Sequence, residues 1–109
     1  MIEGVRKDVL VAAESELARA KEQFGEKYHS RHEAYGVLAE ELYEVKHEMK
    51  WLAFHEEDLI GALHHDDDVA IDHALDALRC AAIRAACELI QVAAVCHKAI
   101  IDPEVIADA

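Results

Sequence analysis

Apolar residues recur in steps of three and four along almost the whole chain, and only one proline and four glycines interrupt them. That period belongs to the α-helix and not to the two-residue alternation of a half-buried strand. Leu10, Ala13, Leu17, Ala20 and Phe24 fall on one stripe of a first helix over about 5–24, with Gly25 as its stop. Ser30 precedes Glu33 by three, the spacing of a capping box. A second helix over about 30–54 therefore opens there, with Tyr35, Leu38, Leu42, Val45, Met49 and Leu52 as its stripe. Residues 55–68 hold Gly61, His64, His65 and the run Asp66-Asp67-Asp68, and read as a connector with room for one short helix. The acidic run then caps a third helix over about 69–101, because carboxylates meet the positive end of the helix dipole. Its stripe is Ile71, Leu75, Leu78, Ala82, Ala85, Leu89, Val92, Cys96 and Ala99, and Asp102-Pro103 ends it.

The expected fold class is therefore all-α: one domain over 1–109, a helical bundle of three long helices. Hydrophobic residues make up 53% of the chain but aromatics only 6%, a balance that suits alanine-spaced helices packed closely together. Three helices with such wide apolar faces leave surface to cover, so the bundle is expected to be completed by oligomerisation as a homodimer or homotetramer.

Charge narrows the function classes. Asp and Glu number 23 against 11 Lys and Arg, a formal charge of −12 that repels a phosphate backbone and excludes direct nucleic-acid binding. Clustered carboxylates instead favour a divalent cation, which can in turn hold a phosphate ester. Cys80, Cys87 and Cys96 lie in one alanine-rich stretch without metal-ligand or disulfide spacing, so they read as free thiols of a reducing, cytoplasmic protein. Neither a leader nor a membrane span is expected, since Arg79, Arg84 and Glu88 break the most apolar region.

The strongest chemical signal is Glu40-Glu41-Leu42-Tyr43-Glu44. Glu41 and Glu44 leave one helical face side by side, and a hard cation offsets their repulsion. Glu88 is a lone acid in the apolar run 85–94, with Gln91 three residues on. If the second and third helices pack antiparallel, these residues face Glu41 and Glu44 across an oxygen-rich pocket. A solvated acidic face and an Arg84–Glu88 pair are the purely structural alternatives.

At these residues the chain resembles the MazG-like branch of the all-α nucleoside triphosphate pyrophosphohydrolases, relatives of the dimeric dUTPases. Such proteins carry EExxE on one helix and ExxD on a later one. Here the first motif is Glu40-Glu41-Leu42-Tyr43-Glu44, and the second is Glu88-Leu89-Ile90-Gln91, with glutamine at the aspartate position. The likeness extends through Phe24-Gly25, through 29–38 (HSRHEAYGVL) and through Gln91-Val92-Ala93-Ala94, covering roughly 5–54 and 79–102 but not 55–78.

The resemblance implies Mg²⁺ or Mn²⁺ held by Glu41, Glu44 and Glu88, with Gln91 a neutral replacement for a fourth ligand and Glu40 a ligand or its support. It further implies cleavage of a nucleoside triphosphate to a monophosphate and pyrophosphate, with Glu41, Glu44 and Glu88 acting through the metal. Lys98 and Arg84 are candidates for the phosphates, and His29 and His32 for the base or sugar. A second expectation is a MazG-like module that binds a nucleotide or protein without hydrolysis, favoured by Gln91. A third is a transition-metal bundle built on Glu44 and His47 with Glu26 and His29, or on His64-His65 with the acidic run.

Overall fold

The computed structural model describes residues 3–107 and is all α. Helix α1 runs Glu3–Phe24, α2 Arg31–His64 and α3 Asp68–Ala99, followed by a 3₁₀ turn at Pro103–Val105. No strand occurs among the described residues.

The termini form where the local chemistry dictates. Gly25 closes α1 at φ 96°, a left-handed conformation that glycine adopts at no steric cost, and its amide donates to the Lys21 carbonyl at 2.9 Å. Ser30 Oγ accepts from the Glu33 amide at 3.0 Å, and the Glu33 carboxylate accepts from the His29 amide at 3.2 Å. This is the reciprocal cap expected at the start of α2, with the returning contact moved one residue upstream. Asp67 Oδ1 accepts from the Ala70 amide at 3.1 Å and so caps α3. Asp102 does the same for the last turn, accepting from Glu104 at 3.0 Å with Pro103 in the first turn.

Residues 55–64 correct the expected connector. They continue α2 without a break, and the link to α3 is only the turn at 65–67. Leu52, His55, Leu59 and Ala62 keep the three-four step on the inward face, so the helix has a reason to persist through Gly61. A histidine in that stripe and a glycine after it concealed the period.

Tertiary contacts group the chain into two compact units, to each of which α2 and α3 contribute. The first comprises the described residues up to Leu42 and those from Leu89 onward. It packs α1 with the start of α2 and the end of α3, burying Leu17, Ala34 and Ala94. The second, Tyr43–Glu88, is a helical hairpin that buries Ala62, Ala74, Ala81 and Ala85. Alanine thus supplies six of the seven buried apolar residues, which lets helix backbones approach closely.

The apolar stripes read from sequence are only partly in phase with this burial: Leu17 and Ala85 are buried and Leu38, Val45, Leu52, Ile71, Leu78 and Val92 half-buried. Leu75 and Leu89 on α3, and Tyr35, Leu42 and Met49 on α2, are exposed, while the inward face of α2 includes half-buried Glu41 and Glu48. Small residues dominate the interior because they permit the closest contact, and many of the larger ones are left outside.

Candidate functional site

The helical register places the acidic motif first. Glu41 and Glu44 stand a turn apart on one unbroken helix, and within the second unit Glu44 meets Glu88 of α3. One carboxylate oxygen from each of Glu41, Glu44 and Glu88 lies within 4.8 Å of the other two. Glu41 and Glu88 are half-buried and Glu44 is exposed. Partial burial removes some of the water that screens like charges, so the trio suits a cation in its midst. Hard oxygen donors with one side open to solvent fit Mg²⁺ or Mn²⁺ better than a soft metal. Glu40 is exposed and outside this group.

A cavity of about 460 Å³ lies in the first unit, and Glu41 and Gln91 belong to its wall. Phe24, Tyr28 and His29 give it aromatic surface. Glu16 and Arg19 form an ion pair on its α1 side, and Arg19 also donates to Gln23 at 2.8 Å. The hydrogen bond from Arg19 holds the Glu16 carboxyl below the usual carboxylate range.

Lys98 closes the far side of the cavity. It is the buried charged residue of the described chain, with 9% of its surface accessible, and its Nζ lies 4.3 Å from the centroid of the Tyr28 ring. No carboxylate pairs with it among the described residues. A cation over an aromatic face gains roughly 0.5–2 kcal/mol. Removing an unpaired ammonium from water costs roughly several kcal/mol, so the ring offsets only part. Burial, reinforced by the negative charges of Glu33 and Glu41 and by Cys96, raises the Tyr28 phenol above its ordinary pKa.

Two other candidates for the phosphates or base stand elsewhere. Arg84 Nε donates to Glu48 at 3.2 Å, so its carboxylate partner lies on α2 and is not Glu88 as the local spacing suggested. His32 is exposed at the start of α2, outside the lining of the large cavity. For the transition-metal alternative, the Nε2 of His47 accepts from the Trp51 indole at 3.2 Å, and no described histidine joins a three-ligand group. Sequence reasoning missed Tyr28 and Glu33 as cavity walls, and Glu16 with Arg19. Only Tyr28 left a trace, as an aromatic beside the Gly25 turn.

Fold and site together define an all-α protein whose carboxylate cluster and ring-lined cavity share Glu41. Comparison with protein-family models, with curated proteins and with solved structures yields no match. No described helix is long and apolar enough to cross a membrane.

Proposed function

We propose that this protein is a divalent-metal-dependent nucleoside triphosphate pyrophosphohydrolase of MazG-like type, working in the cytoplasm as a homodimer or homotetramer. The observation that carries the reading is the convergence of Glu41, Glu44 and Glu88 within 4.8 Å, with Glu41 also in the wall of a 460 Å³ cavity. Mg²⁺ or Mn²⁺ bound by those carboxylates supplies charge neutralisation at the phosphates and a polarised water. The chain's own part is to hold three anionic oxygens together on rigid helices. It also offers the aromatic surface of Phe24, Tyr28 and His29 to a base and presents the Lys98 ammonium to a phosphate. Three free cysteines suit a reducing compartment.

Gln91 favours a second reading, in which the module binds a nucleotide and turns it over slowly or not at all. An amide carbonyl can coordinate a cation, yet it contributes one negative charge fewer than the aspartate of the resembled motif. Incubation with a panel of ordinary, deoxy and modified nucleoside triphosphates plus Mg²⁺ or Mn²⁺ separates the two. The expected result is pyrophosphate release that falls at least about a hundred-fold in Glu41→Gln and Glu88→Gln, as loss of a charge-stabilising group does. Gln91→Asp is expected to tighten Mg²⁺ binding. Saturable nucleotide binding without pyrophosphate release across the panel selects the second reading.

A further inference from the structure

A smaller cavity of about 240 Å³ lies at the start of α2 in the first unit. Lys27, Arg31 and Lys98 line it together with Ser30, and no carboxylate belongs to its wall. In a chain with 23 acids and 11 Lys and Arg, three of those cations at one carboxylate-free hollow run against the overall charge.

Two independent features point the same way. The hollow lies at the N-terminal end of a 34-residue helix, where orphan amides and the dipole present positive charge. Ser30 Oγ caps the Glu33 amide, which leaves the amide of Arg31, a residue of the wall, outside the helical ladder and available to an oxyanion. From a different element, α3 sends Lys98 into the same wall, more than nine-tenths buried and partnered only by the Tyr28 ring among the described residues. A ring face does not neutralise an ammonium; an anion does. Lys27 and Arg31 have no ion-pair partner among the described residues either.

We infer that this hollow is an oxyanion site that takes a phosphoryl or pyrophosphate group directly on Lys98, Lys27, Arg31 and the first amide of α2, without a metal ion. It shares Lys98 with the proposed hydrolase site but does not rest on that activity, since none of Glu41, Glu44 and Glu88 takes part. The phosphoryl group can arrive as a free oxyanion or as part of a nucleotide; the recognising chemistry is the same.

Calorimetric titration of the full chain in EDTA, with inorganic phosphate, pyrophosphate and a nucleoside monophosphate as separate probes, tests it. Saturable binding of either inorganic anion identifies the free oxyanion as ligand. Saturation by the monophosphate alone identifies a phosphoryl group borne by a nucleoside. Either form should weaken about ten-fold or more in Lys98→Met, and with added salt, as charge-assisted bonds do. Should Lys98→Met fail to fold, the exposed pair Lys27→Ala and Arg31→Ala decides, with the same expected loss. Lys50→Ala, an exposed cation in the other unit, should leave affinity unchanged. No saturable binding by any probe overturns the site; so does binding indifferent to Lys98, Lys27 and Arg31, or binding weakened equally by Lys50→Ala.

Discussion

Asp66 occupies φ 50°, a left-handed conformation that residues with a Cβ rarely adopt. It does so to end α2. Its amide donates to the Leu63 carbonyl and the Asp67 amide to that of Ala62, both at 3.2 Å, so the last carbonyls of the helix are satisfied as the chain turns toward α3. Glycine makes the same turn without the steric cost, although it surrenders more freedom on folding. The net is expected to favour Asp66→Gly by about 0.5–1 kcal/mol, read as a raised midpoint in urea with an unchanged slope. A lowered midpoint would mean that the Asp66 side chain makes a contribution its backbone does not reveal. At this scale the sequence was informative about chemistry but not about placement. Ser30, Glu33 and the 66–68 run announced helix ends because their short polar side chains satisfy amides locally. The partners of Lys98 and Arg84 were hidden because Tyr28 and Glu48 lie far along the chain.

Helix α2 is ten residues longer than the pattern of large apolar side chains suggested, ending at His64 and not near Phe54. His55 and Gly61 made the segment look irregular, yet the hydrogen-bonded ladder needs only that no residue forbid it. Glycine in a helix interior forbids nothing and merely weakens it. Around Gly61 nothing stands within 4 Å of where a Cβ would lie, so alanine fits there without displacement. Gly61→Ala is accordingly expected to stabilise by about 0.5–1 kcal/mol. The check is a denaturation midpoint together with increased helical ellipticity. In a flexible connector the same change would alter neither, so the measurement also decides between the two descriptions of 55–64. Phase was harder to read than length. Leucine and tyrosine dominate any apolar pattern, but Ala34, Ala62, Ala74, Ala81, Ala85 and Ala94 take the interior, where close backbone approach rewards small side chains. Glu41, Glu48 and Glu88 share the inward faces with those alanines, and the pairing of the EExxE segment with Glu88 was legible because a lone acid in the apolar run 85–94 calls for a partner on an antiparallel neighbour.

The apolar stripes that sequence assigned to the interior remain to be covered. Tyr35, Leu42 and Met49 mark one along α2, continued by Leu63 of the segment first read as a connector, and Leu75, Ala82 and Leu89 mark another along α3, each exposed in the single chain. Among the described residues no large side chain is fully buried, and Leu17 is the one buried apolar residue larger than alanine. Such seams at seven-residue spacing are what antiparallel or parallel helices bury against one another. Opposing this, a charge of −12 on each copy repels a second. Burial of apolar area is short-ranged and strengthens in salt, whereas repulsion between surface charges is screened beyond about 8 Å at physiological ionic strength. Self-association is therefore expected to tighten as salt rises. In sedimentation equilibrium the chain should appear as a multiple of 12.2 kDa, more completely so in 0.5 M than in 0.02 M sodium chloride, roughly spanning the two screening regimes. Met49→Glu and Leu89→Glu, at sites about half exposed, should return it to 12.2 kDa while leaving helical content intact. A wild-type chain that sediments at 12.2 kDa in both salts would mean that the stripes are tolerated in water, and the assembly proposed for this protein would have to be abandoned.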